Sequence, residues 1–221
     1  MLERSEEAPP SWGEEHTQAA VREVVLDLSP DIVLFQELPG VVPYVETHAM
    51  VKANPMSHSG NLATLTGHHL ADEEILHTIV PRCGLLVTFV ERDLTIANVH
   101  LSPSQAGAEE RLTQLEAIIE ASPTADLVVI GDTNTRTAEE PNIAALGLTG
   151  DRPPRPTWDG RRNRFRGPAG DFVAYFSRHF ASPSVTVQDV KVLAGSAIEE
   201  GAHRFHLSDH FGFTGTIVTD D

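Results

Sequence analysis

Residues 127 to 136, LVVIGDTNTR, constrain this chain more than any other stretch, because a run of buried-strand residues ends in Asp132 and Asn134 with one residue between them. A strand that stops this way aims oxygen ligands at one point. Hard divalent cations such as Mg²⁺ favour that chemistry, taking one or two carboxylates, neutral oxygens and several retained waters. The tetrad Gly-Asp-x-Asn is equally a turn sequence, since Gly, Asp and Asn all favour turn conformations. It gains weight only from other groups that could join it.

Three other segments point the same way. DIVLFQEL, residues 31 to 38, is an apolar run followed by Gln36 and Glu37, and LTIANVHL, residues 94 to 101, ends a strand pattern in His100. HLSDHFGFTGTIV places Ser208, Asp209 and His210 immediately before one more strand. Strand ends form the rim of the ligand crevice in layered α/β sheets, so groups scattered along the chain can converge there. Each has a bland rival. A strand-end glutamate is usually at the surface, but Glu37 follows a run that should be buried, and a buried carboxylate wants a cation. His100 also reads as a satisfied core histidine, Asp209-His210 as a turn cap, and Asp171 after Gly170 as an ordinary turn residue.

With 221 residues and 40% hydrophobic content, the chain can build one sizeable core, and it has neither a twenty-residue apolar span nor a signal-type start. The expectation is one intracellular, cytoplasmic domain over residues 17 to 219 behind an irregular segment, residues 1 to 16, with no membrane partner. Cys83 is the single cysteine, which excludes an internal disulfide and a thiolate metal cluster. It reads as a small core residue. His48, His58, His68, His69 and His77 lack the i, i+4 spacing of a helical zinc pair and are assigned mostly to loops and surface.

The formal net charge of −16 argues against a general nucleic-acid coat. Its distribution says more. Residues 151 to 166, DRPPRPTWDGRRNRFR, hold Arg152, Arg155, Arg161, Arg162, Arg164 and Arg166, six of the 16 Lys and Arg, with Trp158 and Phe165 among them. Arginines interleaved with aromatics can neutralise phosphates and stack on bases, which suits a single-stranded or end-bound nucleic acid. The alternatives are a solvated loop, and for Trp158 a plug in a hydrophobic gap.

Secondary-structure patterning is regular. Val21, Val24, Val25 and Leu28 give the apolar stripe of a helix running from Thr17 to Ser29-Pro30, and Leu112, Leu115, Ile118 and Ile119 give that of a second helix over residues 109 to 120. A loop-rich segment is expected to about Gly60, then strands at 62 to 65, 85 to 90 and 94 to 99. Strands and helices alternate with extra adjacent strands, which predicts an α/β fold: a two-layer mixed β-sandwich flanked by helices.

The order Gln36-Glu37, His100-Leu101, Gly-Asp-Thr-Asn (131 to 134) and Ser-Asp-His (208 to 210) resembles the endonuclease/exonuclease/phosphatase superfamily, whose members hydrolyse phosphate esters with Mg²⁺ or Mn²⁺. GDTNTR, PTWDGRRN, HLSPSQAGAEERLTQL and SDHFGF are similar to its 5′-tyrosyl-DNA phosphodiesterase branch, which removes a protein tyrosine from a DNA 5′ phosphate. The resemblance implies that Glu37 binds the metal, with Asp209 adding to the metal field and supporting His210. Asp132 would orient or deprotonate the attacking water, Asn134 would hold a phosphate oxygen, and His210 would contact the scissile phosphate. His100 would stabilise charge on the non-bridging oxygens, Asp171 would orient a neighbouring histidine, and Arg136 would touch the phosphate. Trp158, Arg161 and Arg162 are expected along the groove for the nucleic-acid end.

The implied activity is a divalent-metal-dependent phosphodiester hydrolase. A phosphatase or phospholipid-type phosphodiesterase of the same superfamily is the alternative, as is a truncated remnant that binds phosphate without turnover. One departure bears on this. Members begin with a strand ending in an asparagine beside the metal, whereas this chain starts MLERSEEAPPSWGEEH. The expectation is therefore an N-terminally truncated sheet.

Overall fold

A computed structural model describes residues 9–38, 45–56, 60–159, 173–193, 198–205, 208 and 210–219, without the side chains of residues 50–56, 60 and 204. Helix α1 (Glu14–Leu28) leads into strand β1 (Ile32–Leu38), followed by β2 (His48–Met56), β3 (Gly60–Gly67), β4 (Ile75–Val80), β5 (Gly84–Phe89) and β6 (Leu94–His100). Helix α2 (Ala108–Ala121), β7 (Asp126–Asp132) and the short α3 (Glu140–Ala145) come next. The remaining strands are β8 (Trp158–Asp159), β9 (Val173–Ala174), β10 (Ser177–Ala181), β11 (Val185–Leu193), β12 (Ile198–Glu200), β13 (His203–Phe205) and β14 (Gly212–Thr219).

Five strands form one sheet in the order β10-β7-β6-β5-β4, in which only β6 and β7 run parallel. A second layer holds the antiparallel sheet β1-β3-β2 and the pair β11-β14. Alternation along the strands explains the layering. Val99 and Val129 point to one face of the large sheet, where they pack with Leu115 and Ile118 of α2 and Ile143 of α3. Ile96 and Val128 point to the other face and meet Ile32 and Leu34 of β1, Val185 and Val187 of β11 and Ile217 of β14. On the far side of β1, Val33 and Phe35 pack with Val21 and Val25 of α1. Helix, sheet, sheet and helix thus stack in order, as the patterning predicts, and β1 opens on four apolar residues, Ile32 to Phe35, because both of its faces are covered there.

Several boundaries shift. α1 starts at Glu14, three residues before the predicted Thr17, so part of the segment expected to be irregular is helical. The expected loop before Gly60 contains β2, an edge strand whose Pro55 sits where a missing ladder N–H is tolerated. His48, assigned to loop or surface, is buried: its Nε2 meets the Pro30 carbonyl at 2.7 Å and its Nδ1 the Thr47 hydroxyl at 2.9 Å. His68, His69 and His77 are exposed, and His58 lies outside the described residues. Burial of Cys83 pushes its thiol up to about 11, in keeping with a packing role. Among the described residues, no helix is long and apolar enough to cross a membrane.

Asn98 ties the layers together where the apolar pattern of β6 is broken. Fully buried, it donates through Nδ2 to the Ala63 carbonyl at 2.9 Å and the Phe35 carbonyl at 3.2 Å, and its Oδ1 accepts Gln36 Nε2 at 2.7 Å. These bonds lock β1, which carries Glu37, over β6, which carries His100. Leaving one such buried group unpaired costs about 1–3 kcal/mol.

His179 on β10 is buried with no hydrogen-bond partner on Nδ1 among the described residues, and burial, then the charge of Arg178, holds its imidazole below the ordinary 6.5. The folded protein thus resists a proton that the unfolded chain accepts. This cost is absent above the unfolded pKa and grows as pH falls through about 6.5. His179→Gln should flatten the acid-side loss of stability in urea unfolding between about pH 7.5 and 5.5. An unchanged slope would remove His179 from that role.

Candidate active site

The parallel pairing of β6 and β7 puts His100 directly opposite Asp132, both at the C-terminal ends of their strands. Ser177 of β10 stands on the other side of Asp132. Gly131 makes this approach possible. Its φ is 141°, and a Cβ there would lie 2.3 Å from the Val99 carbonyl oxygen of β6. On the facing sheet, β1 slips register between Phe35 and Leu38, and Glu37 takes a positive φ of 53°. A bulge of this kind re-aims a side chain at a strand end.

The carboxylates of Glu37 and Asp132 converge on His100, whose Nε2 lies 3.5 Å from Glu37 Oε1 and 3.5 Å from Asp132 Oδ2. Facing two carboxylates favours a proton on Nε2, which makes His100 a donor at that corner. His210, just before β14 and bridged to Trp158, reaches the same acid, with Nε2 3.8 Å from Asp132 Oδ2. Its backbone N–H donates to Ser208 Oγ at 3.1 Å, and its Nδ1 lies 3.1 Å from Ser177 Oγ.

Asn134 follows in the left-handed region at φ 51°, a conformation that Asn tolerates better than most residues. Its N–H is shared between Asp132 Oδ1 at 3.3 Å and the Phe176 carbonyl at 3.2 Å, while Nδ2 donates to the Leu101 carbonyl at 3.2 Å. Positive φ at both Glu37 and Asn134 is the kind of local strain that collects at functional sites.

Arg136 folds back beside this corner. Its Nη1 donates to the Asn134 carbonyl at 2.7 Å, and its guanidinium carbon lies 4.1 Å from the Phe176 ring centroid. Burial, then the charge of Arg111, holds its pKa below the usual arginine value. Half-buried Trp158 joins the cluster: it bridges His210 on the backbone, and its ring centroid lies 5.8 Å from that of Phe176.

Six of the predicted site residues therefore meet at one rim, namely Glu37, His100, Asp132, Asn134, Arg136 and His210, with Trp158 next to them. Asp171, Asp209, Arg161 and Arg162 lie outside the described residues. Arg152, from the arginine-rich stretch, is engaged elsewhere, in a surface ion pair with Glu140 at 3.0 Å. Sequence reasoning missed Ser177, Phe176, Asn98, Arg111 and Glu139. Only Asn98 carried a signal, as a lone amide inside an apolar strand.

Among the described residues, no group of three His, Cys, Asp or Glu side chains is arranged to hold a metal. Two converging carboxylates nonetheless match what Mg²⁺ takes from a protein, since that ion binds one or two carboxylates and keeps several waters. The donor set is hard oxygen, without sulfur, which fits Mg²⁺ or Mn²⁺.

A comparison with curated protein sequences gives no match. Among solved structures, TDP2 from D. rerio complexed with a single-strand DNA product shares 22% identity at a TM-score of 0.69, covering 95% of this chain and 94% of that one. Truncated TDP2 from Caenorhabditis elegans shares 20% identity at a TM-score of 0.59 (89% and 88% covered), and the human Nocturnin catalytic domain with bound sulfate 16% at 0.57 (91% and 87% covered). At such identities the likeness is one of fold. The model of the Endonuclease/Exonuclease/phosphatase family matches residues 6–210, nearly the whole chain, including Glu37, His100, Asp132, Asn134, Arg136 and His210. With its paired sheets between helices and that match, this chain belongs to the endonuclease/exonuclease/phosphatase family.

Proposed function

We propose that this chain is a divalent-metal-dependent phosphodiesterase that acts on nucleic-acid ends, in the manner of the 5′-tyrosyl-DNA phosphodiesterases, by in-line attack of water on phosphorus. The observation that carries it is the convergence of Glu37, His100, Asp132 and His210 from both layers within a few ångströms. Phosphoryl transfer needs mostly positioning and charge neutralisation, and this rim supplies donors, a carboxylate base and a guanidinium together.

In this reading Glu37 would hold the ion, with Asp209 contributing to its field. A bound Mg²⁺ or Mn²⁺ would supply charge neutralisation at the phosphate and make water easier to deprotonate. Asp132 orients the attacking water and accepts its proton. Asn134 holds a phosphate oxygen, His100 donates from Nε2 to a non-bridging oxygen, and His210 contacts the scissile phosphate. Ser177 keeps the His210 ring in the plane that faces Asp132, and Asp171 is assigned to orient a neighbouring histidine. Arg136 adds a charge-assisted contact to the phosphate. Trp158, Arg161 and Arg162 line the groove for the nucleic-acid end, a substrate class also suggested by the DNA product in the D. rerio structure.

Hydrolysis of a model phosphodiester should require Mg²⁺ or Mn²⁺ and stop in chelator. Full activity after exhaustive metal removal would sink the reading. A second expectation concerns the sheet edges. Among the described residues, β1 and β14 each pair on one side only, and an open edge can accept a further strand. A form extended upstream by a strand that ends in an amide should melt at a higher temperature and turn over faster. Equal stability and activity in both forms would refute this.

A further inference from the structure

The segment from His100 to Leu115 supplies His100 to the site, yet its other polar residues take no part in the chemistry proposed above. They build a clamp beneath it. Arg111 of α2 is fully buried, and its Nε and Nη2 donate to Glu139 Oε2 and Oε1 at 2.8 and 2.7 Å. Its Nη1 donates to the carbonyls of Ser102 and Ser104, both at 2.7 Å. Glu139 Oε1 in turn accepts the backbone N–H of Arg136 at 3.0 Å. One guanidinium therefore grips both loops that follow the catalytic strands, residues 101–107 after β6 and residues 133–139 after β7.

Neighbouring residues of α2 reinforce the first loop. Gln114 accepts the Ser102 N–H at 2.8 Å, and Glu110 accepts the Ser102 hydroxyl at 2.7 Å. Gly107 leaves room for the guanidinium, because a Cβ there would lie 2.6 Å from the Pro103 carbonyl oxygen and 3.0 Å from Arg111 Nη1. The planar, five-donor fork of an arginine can satisfy a carboxylate bidentately and two carbonyls at once, which an ammonium cannot.

We infer that Arg111 is a positioning residue which, through Glu139, holds the loop carrying Asn134 and Arg136 in register with the strand end carrying His100. Its catalytic consequence rests on the phosphodiesterase reading, and its structural half does not. A misplacement of about 1 Å at a reacting centre can cost on the order of 100-fold in rate, so the clamp acts on kcat more than on KM.

The test uses Arg111→Lys, which keeps the charge and loses the fork, and Glu139→Gln, which keeps the shape and loses the charge. Both should raise amide exchange in residues 101–105 and 133–138 while β5 and β6 stay protected. On a small phosphodiester, kcat should fall roughly 10- to 100-fold with KM little changed. In an Arg136→Ala background, Arg111→Lys should cost far less, because a residue that acts through another gives a non-additive cycle. Leu86→Ala, a core change in β5, should lower stability and leave kcat near wild type. Wild-type exchange in both loops, or an additive cycle, overturns the inference. If the wild-type protein hydrolyses no phosphoester with any divalent cation, the phosphodiesterase reading fails, and the exchange measurement alone decides the clamp.

Discussion

Asp132→Ala and His210→Ala should each lower phosphodiester turnover by on the order of 10²-fold or more, the range typical of a lost acid-base group or one electrostatic contact to the transition state. Asp132 is the hub of the rim: His100 and His210 both approach its Oδ2, and Asn134 donates its N–H to Oδ1. Removing it takes away the proposed base and releases three neighbours. His210 is held on two sides, by Ser177 and Ser208. Its loss removes a donor that has been aimed in advance. Steady-state rates on variants shown by circular dichroism to be folded would check this. Variants that keep wild-type rates would remove Asp132 and His210 from the chemistry, whereas a wild-type protein without metal-dependent hydrolysis of any phosphoester would favour a phosphate-binding module without turnover.

The second large effect separates nucleic-acid recognition from chemistry. Stacking of a base on an aromatic is worth roughly 1–3 kcal/mol, so Trp158→Ala should weaken an oligonucleotide substrate by about five-fold to a hundred-fold. A small chromogenic phosphodiester has no base to stack, and its hydrolysis should change little. Arg136→Ala should slow both substrates, because that guanidinium is proposed to touch the phosphate itself. Trp158 is half-buried beside Phe176 and His210, so packing is the competing role. Equal losses on both substrates would assign the tryptophan to packing. Oligonucleotide binding should also weaken with added salt as counterion release requires.

Strand-forming runs were legible because each β-strand is a local pattern. β6 and β7 are buried on both faces and therefore read as near-continuous apolar stretches. β2 was not legible, since an edge strand has fewer neighbours to satisfy and tolerates polar residues and Pro55. His48 was misplaced for a related reason. Nothing local to its segment shows that the Pro30 carbonyl, 18 residues away, would satisfy its ring.

The sequence by itself determined which side chains stand at strand ends and so which chemistry is on offer: Glu37, His100, Asp132, Asn134 and His210 could be named from their positions beside apolar runs. Only the tertiary structure decided how they are held. The bulge that turns Glu37 towards His100, the Asn98 bonds that fix one layer over the other, and the grip of Arg111 on two loops all join residues far apart in the chain. Strand and helix periodicity reports which face of an element is buried. It carries no information about which distant partner fills that face, so Arg111 looked like any polar residue of an amphipathic helix until its burial against Glu139 was seen.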